Sequence, residues 1–302
     1  MTSLLDAAQT AARLPYRALV REIAALLRDA CVQVPGRLVQ ALPGGASLFV
    51  MPAFDSRIAI TKLITFTPAN AGTGRPAIQG DVVVFDVATG ERVLVLDGPT
   101  VTARRTAAVS LLAAQTLAPN RRGPLLIVGA GAQGRSHLEA FAQGLPIKEV
   151  RIASRNLASA QALADHARSL GLKASTVADP DTALSGCPLV VTCTPASGIV
   201  LSALPRSDAF IAAVGAFTPR MVELGPELCR HVAQQGSIVL DTLDAQHEAG
   251  DLLQAGLDVK AFAILRNVLS GAAPRAPVLF KSCGWAGWDL AAARTAAATP
   301  AC

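Results

Sequence analysis

The chain has 302 residues, 51% of them apolar, and a formal charge of +5, a length that exceeds what one hydrophobic core usually serves and predicts two domains sharing a cleft. No run approaches the ~20 consecutive apolar residues of a membrane-spanning helix, and the start Met-Thr-Ser-Leu-Leu-Asp6 lacks the pattern of a secretory signal, so a soluble cytoplasmic protein with no membrane partner is expected. Dispersed basic residues with one Tyr and two Trp argue against nucleic acid, and six cysteines without close pairing argue against a disulfide framework or a metal site.

Pro15 opens an amphipathic helix, Tyr16–Arg28, with Leu19, Val20, Ile23, Leu26 and Leu27 on one face. Apolar β-rich runs follow at Leu48–Ala53, Ile58–Thr67 and Ile78–Val87, and Asp86-Val-Ala-Thr-Gly90 turns into Arg92–Leu96; antiparallel pairing is predicted. Asp97-Gly-Pro-Thr100 ends that sheet, and an Ala- and Leu-rich helix runs to Leu117 before Pro119. From Leu125 apolar strands alternate with helices. Strands at Leu125–Val128, Val150–Ala153, Lys173–Val177, Leu189–Thr194, Ala209–Val214 and Ile238–Leu240 predict a six-stranded parallel sheet covered on both faces. The segment Val278–Gly284 and a helix through Ala293 are read as returning to the first domain, and the Ala-rich end is expected to fray past Thr299-Pro300. The fold class is therefore α/β: a doubly wound Rossmann domain over 115–280, and an α+β substrate-binding and dimerisation domain from 1–114 and 281–302.

Leu-Leu-Ile-Val128 runs straight into Gly129-Ala-Gly-Ala-Gln-Gly134 and a helix. In that context Gly129 serves the tight turn, Gly131 the approach of a pyrophosphate and Gly134 close helix packing, so a dinucleotide is the expected cofactor. The second strand ends in Ser154-Arg155-Asn156, with no carboxylate for a ribose hydroxyl. Arginine and serine there suit a ribose phosphate, which points to NADPH, with NADH as the alternative. His137, His166, His231 and His247 share no spacing with Ser, Cys or carboxylates that suggests a triad or a metal.

Hydride chemistry belongs to the nicotinamide, so the protein must position a substrate and stabilise its charge. Three cations in the N-terminal half are candidates: Lys62 within an apolar strand, Arg105 in the first turns of the following helix, and Arg37 after Val-Pro-Gly. Spacing alone allows each to be a surface charge instead. Together with the glycine loop, the stretches Leu48-Phe-Val-Met-Pro52, Thr61-Lys-Leu-Ile-Thr-Phe66, Thr102-Ala-Arg-Arg-Thr106, Ala213-Val-Gly-Ala-Phe217 with Glu223-Leu224, and Phe280-Lys-Ser-Cys-Gly284 resemble the ornithine cyclodeaminase and mu-crystallin family over nearly the whole chain. Within it the pattern is most similar to the bacterial Δ1-pyrroline-2-carboxylate reductases.

The resemblance implies that Arg37, Lys62 and Arg105 converge on a substrate carboxylate and reacting nitrogen, and that Gln133, Ser154, Arg155, Thr194, Val214 and Ser282 contact the cofactor. It also implies a homodimer. Asp241 and the run Glu248-Ala-Gly-Asp251 resemble a family segment near the cofactor cleft, although a structural capping role is the favoured reading. Two departures decide the expected reaction. Phe217 stands where cyclodeaminases carry an aspartate, and Phe49 occupies a second acidic position. A phenyl ring cannot act as the base that oxidative deamination and cyclisation require. The expectation is an NAD(P)H-dependent ketimine reductase converting Δ1-pyrroline-2-carboxylate to L-proline, and its six-membered homologue to L-pipecolate, with Phe49 and Phe217 lining the ring and Lys62 as proton donor. The rivals are an ornithine cyclodeaminase or linear amino-acid dehydrogenase, and a cofactor-dependent binding protein like mu-crystallin.

Overall fold

The structure is a computed structural model that describes residues 3–70, 73–195, 197–269, 271 and 274–298; the chain end expected to fray, 299–302, lies outside them. The chain forms two compact units, residues 1–108 with 285–302, and residues 109–284.

The first unit begins with β1 (Ser3–Leu4), α1 (Ala7–Ala12) and α2 (Tyr16–Leu26). Asp6 and Gln9 cap α1 reciprocally, each side chain accepting the other's backbone N–H. The apolar stripe of α2 is buried at Leu19, Val20, Ile23 and Leu26, as its periodicity requires. Then come β2 (Leu38–Ala41), β3 (Ser47–Phe54), β4 (Ile58–Phe66), β5 (Ile78–Asp86) and β6 (Arg92–Asp97), in the order β1-β6-β5-β4-β3-β2. Pairing from β2 to β6 is antiparallel, as expected, and β1 adds a parallel edge. Side chains alternate across β4: Ile60, Lys62 and Ile64 are buried, whereas Leu63 is exposed on the other face. The long helix α3 (Gly98–Leu117) carries the chain into the second unit.

That unit contains β7 (Leu125–Val128), α4 (Ala132–Gly144), β8 (Glu149–Ala153), α5 (Leu157–Ser169), β9 (Lys173–Val177), α6 (Pro180–Leu184) and β10 (Leu189–Thr192). It continues through β11 (Ser197–Leu201), β12 (Phe210–Ala213), β13 (Val222–Leu224), α7 (Pro226–Gln235), β14 (Ser237–Leu240), α8 (Gly250–Gln254), β15 (Ala263–Ile264), α9 (Leu265–Val268) and β16 (Val278–Lys281). The main sheet is parallel, in the order β15-β14-β16-β12-β10-β7-β8-β9. The sequence of strands reverses at β7, which makes this a doubly wound Rossmann sheet with its topological switch there.

All six predicted strands take part, but among the described residues the sheet has eight. The run Val278–Lys281, expected to return to the first domain, is instead β16, inserted between β12 and β14 with all four residues buried. A short, continuously apolar strand is what the middle of a parallel sheet demands, and its place late in the chain obscured that. β11 and β13 form a separate parallel pair that the sequence did not indicate.

α10 (Ala286–Ala298) ends the chain in the first unit, where it packs on α2, β3 and β4. Its alanines let backbones approach closely. Arg294 fixes its far end: Nε lies 2.6 Å from Asp55 Oδ2, Nη2 2.7 Å from Asp29 Oδ2 and Nη1 3.2 Å from Glu22 Oε1. Among the described residues no helix is long and apolar enough to cross a membrane.

Candidate active site

In the second unit, the buried strand β7 delivers the chain into Gly129 at φ +117°, where a Cβ would sit 2.7 Å from the Cys193 carbonyl oxygen. Only glycine makes that turn. A Cβ on Gly134 would meet the Gly129 carbonyl oxygen at 2.0 Å, so α4 starts flush against the turn. Gly131 differs: no atom lies within 4 Å of the position its Cβ would take. It is also the N-cap of α4 and has no side chain to satisfy the first-turn amides, which leaves those donors for an anion. Tight turn, open approach and uncapped helix start fit the pyrophosphate of a dinucleotide.

Gln133, half-buried in the first turn of α4, has an Oε1 shielded from solvent without a hydrogen-bond partner, and its carbonyl oxygen lies 2.8 Å from His137 Nδ1. Facing a carbonyl, Nδ1 must carry the hydrogen, so Nε2 accepts from Ser110 Oγ at 3.0 Å. Burial lowers the His137 pKa to about 4, and the neutral ring acts as a strut between α3 and α4.

At the end of β8, Ser154 is half-buried, while Arg155 and Asn156 are exposed. Asn156 Oδ1 accepts the Ser159 N–H at 3.0 Å and caps α5, and Ser154 Oγ accepts the Asn156 N–H at 3.3 Å. The Arg155 guanidinium is therefore the charged group that this loop presents.

A buried polar network lines the carboxyl ends of β10, β12 and β16. Glu223 accepts from Thr192 Oγ1 (3.0 Å), Thr194 N (2.6 Å), Thr194 Oγ1 (2.9 Å) and Gly215 N (2.7 Å), which ties together the loops after β10 and β12. Asp251 accepts from the backbone N–H groups of Glu223 (2.6 Å) and Leu224 (2.9 Å) and pairs with Lys281 Nζ at 2.6 Å. Burial pushes the Glu223 carboxyl up, against the pull of Lys281. Burial alone would lower Lys281, but the negative groups around it, Asp251 foremost, raise it above its ordinary value. Asp241 Oδ2 accepts from Ser282 Oγ (2.8 Å), Cys283 N (3.0 Å) and Gly284 N (2.9 Å). Asp241 and Asp251, legible as caps, are thus joints between loops. Thr194, Val214 and Ser282 stand at these joints, at the sheet edge where open α/β folds take ligands. Phe217 follows Gly215 and packs, partly buried, against the unit's apolar core. Burial holds the thiols of Cys187 at about 11 and Cys229 at about 12, so neither is a nucleophile at neutral pH.

The first unit holds the cations. Lys62 on β4 is 1% exposed, opposite Met51 and Val82, and its ammonium meets a residue that the sequence reading overlooked. Asp289, fully buried in the first turn of α10, places Oδ1 at 3.1 Å and Oδ2 at 2.9 Å from Lys62 Nζ. The same Oδ1 accepts from Arg105 Nε at 3.2 Å, and Lys62 also donates to Thr102 Oγ1 at 3.5 Å. The Lys62 pKa falls to about 8: burial lowers it, Asp289 raises it, and the charges of Arg105 and Arg37 lower it further. Arg37, half-buried ahead of β2, thus belongs to the same electrostatic cluster. Arg104 does not. Its Nε donates to the Leu14 carbonyl at 2.8 Å and its guanidinium lies 4.0 Å above the Tyr16 ring. Phe49 is half-buried on β3.

The chain is similar to known proteins over nearly its whole length. The chain is 38% identical over 299 residues to Delta(1)-pyrroline-2-carboxylate reductase 1 of Burkholderia multivorans, covering 98% of this chain and 95% of that one. It is 37% identical to the Delta(1)-pyrroline-2-carboxylate/Delta(1)-piperideine-2-carboxylate reductase of Azospirillum brasilense, across 97% and 94% of the two chains. The solved structure of Thermococcus litoralis Delta(1)-pyrroline-2-carboxylate reductase, in complex with NADH and L-proline, shares the fold with a TM-score of 0.88 at 22% identity, over 97% and 95% of the chains. The sequence pattern shared by its members matches residues 18–298, and the chain belongs to the ornithine cyclodeaminase/mu-crystallin family.

Proposed function

We propose that the protein reduces the C=N bond of Δ1-pyrroline-2-carboxylate to give L-proline, and that of the six-membered homologue to give L-pipecolate, with a nicotinamide dinucleotide as hydride source. The observation that carries this reading is the buried cluster of Lys62 and Arg105 around Asp289, with Arg37 beside it: three cations and one carboxylate. Such a site has two positive charges in excess of its carboxylate, enough to hold a small carboxylate substrate, and the forked guanidinium suits its geometry. The names of the relatives support the same reaction.

A reduced nicotinamide, when bound, supplies the hydride. The chain's own part is to hold the substrate carboxylate with Arg37 and Arg105 and to deliver a proton from the Lys62 ammonium to the ring nitrogen, so that hydride at carbon and proton at nitrogen complete the amine. Phe49 and Phe217 supply apolar lining for the ring. Phe217 also withholds the base that deamination would need, which sets aside the cyclodeaminase reading. Residues of the first unit form the substrate-binding and dimerisation domain in this proposal. The second unit holds the cofactor through Gly129, Gly131, Gln133 and Gly134 at the pyrophosphate, and through Thr194, Val214 and Ser282 at the sheet edge. Ser154 and Arg155, with Asn156 holding the loop, favour NADPH.

The test mixes purified protein with the imine and either reduced cofactor. Loss of the reduced-nicotinamide absorbance is expected, with kcat/KM higher for NADPH by about tenfold, the worth of one charge-assisted contact. No loss with either cofactor contradicts the reaction, and equal or better use of NADH contradicts the role of Arg155.

We also propose a homodimer through the outer face of the antiparallel sheet. Leu38, Val50 and Leu63 stand in one cross-strand row there, with Leu38 57% and Leu63 46% exposed. Sedimentation equilibrium should give a dimer that Leu63→Lys weakens; a monomeric wild type would refute it. The cytoplasm is the proposed compartment, supported by the free thiols of Cys31, Cys187, Cys193 and Cys229; recovery of the native protein in a periplasmic fraction would refute that.

A further inference from the structure

Asp289 belongs to none of the motifs that marked the site, yet it is the group on which the cations converge. It is fully buried, and both its oxygens lie near the Lys62 ammonium while one also accepts from Arg105. It sits in the first turn of α10, a thirteen-residue helix, where the macrodipole favours a negative charge. Nothing in packing alone asks for a carboxylate at this point of an alanine-rich helix.

We infer that Asp289 is the positioning residue of the reduction: its carboxylate is the shared counter-ion that keeps Lys62 protonated and aimed, and it orients Arg105 for the substrate carboxylate. The inference rests on the reading of the site as an imine reductase. The physical reason is a balance of charge. The groups that face Lys62 are Asp289 from α10, Arg105 and Thr102 from α3, and Arg37 from the segment before β2. Burial and two guanidinium groups all favour a neutral amine, and the charge of Asp289 opposes them. A neutral amine cannot give a proton to the imine nitrogen. A substrate carboxylate that engages Arg37 and Arg105 screens the two cations and holds the proton on Lys62 more firmly, so the donor is charged most fully when the substrate is present. Once the proton has passed to the ring nitrogen, the amine regains one from solvent.

The chain contains five lysines, at 62, 148, 173, 260 and 281. Carbon-13 labelling of the lysine ε-carbon therefore gives a simple spectrum of the full-length protein, in which Lys62→Met assigns the Lys62 signal. In the wild type this signal should titrate near 8. In Asp289→Asn it should titrate about one unit or more lower. The alkaline limb of kcat/KM should move down by the same amount, while a variant affected only in folding would lose amplitude without moving the limb. An unchanged or raised Lys62 titration in Asp289→Asn overturns the inference, and so does a limb that stays in place while the titration moves. If Asp289→Asn does not fold, the double variant Asp289→Asn/Arg105→Gln, in which a cation leaves with the anion, is compared with Arg105→Gln alone, and the Lys62 titration should again fall. The lysine titration needs no substrate, so it can fail or succeed apart from the reductase assay, which tests the underlying reading.

Discussion

Lys62→Met should lower kcat/KM for the imine by two to four orders of magnitude, roughly the worth of a positioned general acid, and leave folding intact. The loss follows from geometry. Lys62 is the charged donor at the centre of the cluster, 1% exposed, and methionine keeps its length and apolar stem without the proton. Stability should hold because burial of an ammonium is costly and Asp289 keeps Arg105 as a partner. The fall should appear in kcat more than in KM, since Arg37 and Arg105 still hold the carboxylate. In the wild type, activity should decline as pH rises through about 8, because the lowered pKa of Lys62 leaves the amine neutral above it. Lys62→Met should lack that limb. Steady-state kinetics across the pH range reads both effects, and full turnover in the variant would remove Lys62 from the mechanism.

Lys281→Met should destabilise the protein by about 3–5 kcal/mol, because it strands buried carboxylates. The Lys281 and Asp251 side chains are both fully buried, 2.6 Å apart, and Lys281 also offsets the charge of Glu223. Without it two carboxylates remain in the interior without the cation they share, and the midpoint of thermal unfolding should drop by about 10 °C. The pH dependence has a definite sign. Burial already raises the Glu223 carboxyl in the folded state, and loss of Lys281 raises it further, so the folded variant binds more protons than the unfolded chain. Its deficit relative to wild type should therefore shrink as the solution is acidified from pH 7 towards about pH 5. Differential scanning calorimetry at the two pH values measures this. A deficit that stays constant or grows in acid would show that the network is not held by charge.

Much of the second unit was legible because its signals are local. A buried strand, a turn that only Gly129 can make and a helix packed flush at Gly134 lie within ten residues, and apolar runs separated by helices marked six strands of the parallel sheet. The cations were visible as charges out of place, Lys62 above all, set between Ile60 and Ile64 on one face of a strand. Their partner was not. Asp289 lies 227 residues from Lys62, inside an alanine-rich helix where one acidic residue resembles a solvent-facing one. Only the tertiary arrangement of α10 against β4 reveals it. The same holds for the joint of Glu223, Asp251 and Lys281, whose members come from three separate elements, and for β16, whose four residues were assigned by their neighbours in the chain rather than by the strands they pair with. Interactions of low sequence separation leave patterns, whereas buried ion pairs across the fold leave single letters.

The most direct measurement of the central claim follows the hydride itself. Purified protein is given Δ1-pyrroline-2-carboxylate and NADPH deuterated at the transferring position, and the product is analysed by chiral chromatography with mass spectrometry. The account predicts L-proline carrying one deuterium at its α-carbon, formed at a rate that Lys62→Met lowers by about two to four orders of magnitude; absence of labelled L-proline from a folded, cofactor-bound protein would contradict it.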